Sequence, residues 1–270
     1  MKRFIRSNRC KIIVCALCIT FILSSCGKNE KTNSGQTSSM KTLVTEKTTE
    51  TADMKTEETT EIANSKTENN IDSEDDFEEL VEKDVEATIN ELKDEYEELK
   101  AEINTYDKYK NNTDKVEEFY SKAYESQKQL IIRLGEYSII YTEMIVNSNI
   151  STDDMYDELE TLYDVVYDDA GDDIYEEIYS GILEDVYDEY YSGILEDAYE
   201  TVEYSEWSDL RSDEYDMWSD TRSEVYDNWS DFRSDLYDFW SDIRSELWDG
   251  DVDKAVKKID DFKEDVDKLK

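Results

Sequence analysis

The chain is predicted to be all-α: an elongated helical bundle or coiled coil, with heptad helices first and a C-terminal eleven-residue (hendecad) repeat helix, preceded by a disordered tether. Three observations predict it. There is no proline among 270 residues and there are only seven glycines, so little in the sequence forbids helix. From Phe77 onward apolar residues recur at spacings of three and four. Four consecutive eleven-residue copies, EWSDLRSDEYD, MWSDTRSEVYD, NWSDFRSDLYD and FWSDIRSELWD, run from Glu206 to Asp249 and hold all five tryptophans. Eleven residues close three turns at about 3.67 residues per turn, so each position returns to one helix face.

Residues 1–25 begin with Lys2, Arg3, Arg6, Arg9 and Lys11 and continue in an apolar run from Ile12 to Leu23. The order, and a run too short to span a membrane, fit a secretory signal. It ends in Leu23-Ser24-Ser25-Cys26-Gly27. In these residues the chain resembles bacterial lipoprotein precursors, whose lipobox is an aliphatic residue, two small residues and a cysteine. The resemblance covers about the first tenth of the chain. It implies that Cys26 receives a diacylglycerol through its sulfur, becomes the new N-terminus, and holds the protein on the extracytoplasmic face of a bacterial cell membrane.

Cys10, Cys15 and Cys18 would leave with the signal, and the chain has no histidine. Disulfide frameworks and the usual zinc sites are thereby excluded. The cut also removes five basic and no acidic residues, taking the formal charge from −41 to −46. Such a charge argues against nucleic acid and anionic lipid, and for a basic partner or loosely held divalent cations.

From Cys26 to residue 72 Thr, Ser, Lys and Glu dominate, aromatics are absent and no apolar period appears. This composition predicts a disordered tether, with a span on the order of 40 Å. Next, Phe77, Val81, Val85, Ile89, Leu92, Tyr96, Leu99, Ile103 and Tyr106 predict a helix of about 33 residues. Asn111-Asn112-Thr113-Asp114 breaks it and caps a second helix, making a hairpin. Ser151 or Thr152 caps a shorter helix that is expected to stop near Ala170-Gly171. These parts form the region 73–171.

A long repeat helix is expected over 172–249. Between Ile174 and Val202 apolar pairs recur every four residues, and YSGILED occurs at Tyr179 and again at Tyr191, twelve residues on. Two explanations are open: a helix buried from several sides, or an extra residue per repeat absorbed as a π-bulge near Gly181 and Gly193. Gly250 is placed to end this helix, and residues 250–270 form a last heptad helix, long enough to fold back over the tryptophan face.

In the eleven-residue copies, Trp207, Trp218, Trp229, Trp240 and Trp248, Tyr215, Tyr226 and Tyr237, and Arg211, Arg222, Arg233 and Arg244 share one arc of the helix with the variable apolar positions. Each arginine has a tryptophan four residues before it and an aromatic ring four after. That spacing predicts a cation–π ladder, with ionic partners drawn from a neighbouring helix. The same face is the candidate interaction face. It is either a bundle core with stacked arginines at its margin or an exposed aromatic platform for a glycan or a partner helix.

Acid clusters at Asp168–Asp173 and Asp249–Asp253 do not follow the twelve-residue calcium loop. No His or mature thiol nucleophile pair and no glycine-rich phosphate loop is present. The expected function is non-catalytic and needs no cofactor: a lipid-anchored surface protein acting as a structural or protein-interaction helical module, through a partner or through self-association. A ligand-binding lipoprotein using the Trp/Tyr/Arg face for a glycan or peptide is the second reading. A cation-associated acidic stalk is the third.

Overall fold

The computed structural model describes residues 71–270. The signal, Cys26 and most of the tether lie outside the described residues. All regular structure among the described residues is helical, in six helices: α1 (Glu74–Glu102), α2 (Tyr106–Lys110), α3 (Thr113–Val146), α4 (residues 152–198), α5 (Tyr204–Trp248) and α6 (Val252–Leu269). No helix among them is long and apolar enough to cross a membrane.

The starts of α1 and α4 are set by serines. Ser73 Oγ accepts from the Asp76 amide and Ser151 Oγ from the Asp154 amide, each at 3.2 Å, which satisfies a helix-end donor. Acids in both first turns suit the positive end of the helix dipole. The expected first helix of about 33 residues is shorter, because the chain breaks at Ile103 and re-forms as the five-residue α2.

The four long helices run up, down, up, down. Helices α1 and α3 are antiparallel: Arg133 and Tyr137 meet Asp84, while Lys115 meets Glu102. Helix α4 runs parallel to α1, with Glu74 beside Thr161 and Lys100 beside Glu189. Helix α5 runs parallel to α3, where Gln127 Nε2 donates to the Val225 carbonyl at 2.8 Å. The core holds the heptad residues of α1 and α3, the four-spaced residues of α4 and the variable positions of α5, all packed in one cluster.

Helix α6 does not fold back over the tryptophan face. It lies against α3 and the other side of α5, with Phe262 stacked on Phe239 (centroids 4.2 Å apart) and Val266 on Gly135. A Cβ on Gly135 would stand 2.8 Å from Val266 Cγ2, so the glycine is what lets this helix approach. The tryptophan side is already covered by α4.

Nor is 172–249 one helix. The region past Ala170-Gly171 continues the preceding helix without a break, and the chain instead turns at residues 199–203. Amides of Tyr199 and Thr201 turn back to carbonyls of Glu196 and Ala198, and Thr201 Oγ1 also donates to Ala198, at 3.0 Å. No glycine or proline marks this turn. It is held by local hydrogen bonds and by the pairing of the two repeats that it joins.

Candidate interaction seam between α4 and α5

Helix α4 alternates α-helical turns with three wider π-helical stretches, Tyr163–Ala170, Ile174–Ile182 and Asp188–Leu195. In a π-turn the bond spans i→i+5, so the average rises from about 3.6 towards four residues per turn. The stripe Leu162, Val166, Ala170, Ile174, Ile178, Ile182, Val186 and Tyr190, four residues apart, therefore runs straight along one side and is buried throughout. Of the two explanations for the four-residue period, the extra residue absorbed in π-turns is the one observed. Gly181 and Gly193 sit within these turns, where a Cβ would come within 3.1 and 3.2 Å of the carbonyl five residues back.

The repeat matters because of what lies opposite. Twelve residues of α4 and eleven of α5 each make three turns, so two antiparallel helices with different sequence periods keep one register. Tyr163, Tyr175 and Tyr187 on α4 and Tyr199 just past its end, twelve apart, pack against Trp240, Trp229, Trp218 and Trp207 on α5, eleven apart, the first three tilted and the last edge-on, with centroids 4.3–4.9 Å from each other. Glu160, Asp172, Glu184 and Glu196, also twelve apart, meet Arg244, Arg233, Arg222 and Arg211, at 2.8, 3.5, 3.8 and 2.6 Å.

Each arginine is held from three sides. Its guanidinium carbon lies 3.8–4.4 Å from the ring centre of Tyr156, Tyr167, Tyr179 or Tyr191 on α4 and 4.5–5.2 Å from the tryptophan one turn earlier on α5. Planar guanidinium suits this slot because it stacks and pairs at once. The four Nε atoms are buried without a hydrogen bond, so ring stacking and the carboxylate take their place. Burial and then Asp172 push the Asp168 carboxyl up, and Arg233 opposes them.

The tryptophans also bind backbone. Nε1 of Trp207, Trp229 and Trp240 donates to the carbonyls of Leu195, Gly171 and Leu159, at 2.6, 2.7 and 3.0 Å. Helical carbonyls keep a second lone pair for such a donor. Register would give Trp218 the Leu183 carbonyl, but its Nε1 is buried without a partner.

The predicted face thus divides in two. Variable positions such as Val225, Phe232, Leu236, Phe239, Ile243 and Leu247 enter the core. The constant Trp and Arg positions fill the seam against α4, with Trp207 only 8% exposed. Tyr215, Tyr226 and Tyr237 stay at the seam's outer edge, 45%, 41% and 44% exposed, each with a ring of α4 at its side. Trp248 takes the tyrosine position in the last copy and is 76% exposed beside Tyr156. A shallow cleft there is lined by Tyr156, Trp240, Ser241, Arg244, Ser245 and Trp248.

Sequence reading alone missed the α4 half of this ladder, although the twelve-residue spacing of Glu160, Asp172, Glu184 and Glu196 was there to find. It also missed Glu214. In the other three copies that position is Val225, Leu236 or Leu247. Glu214 is fully buried, accepting from Tyr109 Oη at 2.6 Å and Tyr120 Oη at 2.7 Å. Burial pushes its carboxyl up to about 7 against the pull of the two phenols. Among the described residues no group of three or more His, Cys, Asp or Glu side chains is placed to hold a metal ion. No protein-family model, curated protein or solved structure matches this chain.

Proposed function

We propose that this protein is a non-catalytic helical module, anchored to the outer face of a bacterial membrane through a lipid on Cys26, that docks a basic protein partner along the α4–α5 seam. The observation that carries the reading is the row of outward rings. Trp and Arg at the constant positions are used up in joining α4 to α5, yet Tyr215, Tyr226, Tyr237 and Trp248 remain at the open edge at every repeat. A row spaced by about 16 Å matches three turns of a partner helix. Exposed aromatic rings in line are characteristic of binding surfaces rather than of solvated helix faces.

Charge supports the choice of partner. Residues 152–249 contain 34 acidic residues and four arginines, a formal charge of −30, and all four arginines are turned inward. Carboxylates follow the exposed tyrosines at Asp216, Asp227 and Asp238. Lysine or arginine side chains of a partner would meet both a ring face and an acid, as the intramolecular arginines do. Self-association through the same face would bring two such charges together, which disfavours it.

The cleft at Trp248 supports a second reading, a glycan subsite, since it sets two indoles and a phenol beside Ser241, Ser245 and Arg244. Binding of a lysine-rich amphipathic helical peptide to the whole chain separates these readings. Replacing Tyr215, Tyr226 and Tyr237 by serine, which leaves every carboxylate in place, is expected to weaken the peptide by about tenfold or more, at roughly 0.5–1 kcal/mol per exposed cation–π contact. Undiminished binding by the triple variant would reduce the interaction to bulk charge and sink the seam reading. For the anchor, metabolic labelling with a fatty acid should mark the wild-type chain and not C26S.

A further inference from the structure

Two positions of the first repeat copy depart from the other three, and both departures meet α2. Where the later copies have Met217, Asn228 and Phe239, the first has Glu206; where they have Val225, Leu236 and Leu247, it has Glu214. Glu206 is an exposed partner of Lys110 and accepts from Tyr106 Oη at 3.1 Å. Glu214 is the buried partner of Tyr109, from the same short helix, and of Tyr120 on α3. The five residues of α2 therefore form a strap across this end of the bundle, tied to α5 by one acid outside and one acid inside.

The inner tie stands among groups that are neutral or negative at neutral pH. Tyr109 faces it from α2, Tyr120 from α3 and Tyr190 from α4, with Asp213 beside it on α5. Tyr96 and Glu102 of α1 and Glu189 of α4 act on Tyr190 from further out. The cations close in sequence are turned away: Arg211 to Glu196 and Lys110 to Glu206. Ionised Glu214 thus has two phenol donors and no counter-ion. A buried charge in that position is costly, and opening the site to water relieves it.

We propose that Glu214 is a proton-operated latch: protonated, it holds the α2 strap closed over the Tyr109–Tyr120–Tyr190 cluster, and loss of the proton loosens the strap. The strap is the part that gives way. One helical turn is marginal by itself. Its other polar ties to α5, Tyr106 and Lys110 to Glu206, lie at the surface, and inside it is held by the Tyr109 ring packed on Tyr190. Such a segment opens locally without unfolding the long helices. Glu206 does not share the response, because Lys110 and Tyr106 hold its carboxyl below the usual range.

Amide hydrogen exchange on the whole chain in mild detergent, followed for residues 105–112 between pH 6 and 8 and corrected for intrinsic rates, tests this. A carboxyl titrating near 7 when closed and near 4.5 when open gives about a tenfold rise in strap opening over that range, while exchange in the middle of α3 stays level. E214Q should abolish the rise. A wild-type strap that exchanges independently of pH, or E214Q with the wild-type slope, overturns the proposal. Should E214Q not fold, infrared difference spectra of the wild-type chain decide. A buried protonated-carboxyl band that disappears between pH 6 and 8 upholds the latch, and its absence at pH 6 rejects it.

Discussion

The indole Nε1 of Trp229 donates to the backbone carbonyl of Gly171 at 2.7 Å, joining a position that repeats every eleven residues on α5 to one that repeats every twelve on α4. Trp207 with Leu195 and Trp240 with Leu159 make the same bond, and the three carbonyls are separated by multiples of twelve. The bond therefore reports register between the two repeats as well as local packing.

The arginine slots depend on planarity as well as charge. R233A removes a guanidinium stacked on Tyr167 and Trp229 and facing Asp168 and Asp172. The expected loss is about 1–2 kcal/mol in urea unfolding. R233K keeps the charge but not the planar stack, and is expected to recover less than half of that loss.

Alanine in place of glycine ordinarily stabilises a helix by about 1 kcal/mol. At Gly181 and Gly193 the added Cβ would press on a backbone carbonyl, at 3.1 and 3.2 Å. At Gly171 it would meet its nearest atom at 3.5 Å, an ordinary contact. Thermal unfolding should show G171A at or above wild type, with G181A and G193A below G171A.

Global stability should carry the mark of Glu214. Burial pushes its folded carboxyl up to about 7 from an ordinary 4.5, so between these values the fold keeps a proton that the unfolded chain has released. The stabilisation is fully present below 4.5 and lost as pH rises through 7, a change of about 3 kcal/mol at most. Urea midpoints of E214Q should vary less than those of wild type across that window.

Acrylamide quenching separates the five tryptophans. Trp248 stands 76% exposed, while Trp207 is 8% exposed and Trp218, Trp229 and Trp240 are half-buried against α4. W248F should remove most of the readily quenched, red-shifted emission. Equal quenching of wild type and W248F would show that the ladder opens in solution.

Much of the bundle was legible in the residues. The heptad positions of α1 and α3 and the Ser151 cap follow from short-range geometry, which a sequence states directly. The Trp–Arg contact within each copy was legible for the same reason, since residues four apart share a face. The acid partners of the arginines were not, because they lie 15 to 84 residues away along the chain.

The turn at residues 199–203 has no glycine or proline to announce it. By itself the sequence determined that this part of the chain is helical, that α5 is periodic in eleven residues and α4 in twelve, and that every arginine of the repeat sits between rings. Only the tertiary structure decided that the two periods meet as an antiparallel pair, with α6 on the far side of α5 and Glu214 sealed under α2. The physical reason is that helical periodicity is set by neighbours within a turn, whereas the match of twelve residues to eleven exists only when π-turns in one helix give both the same number of turns along a shared seam.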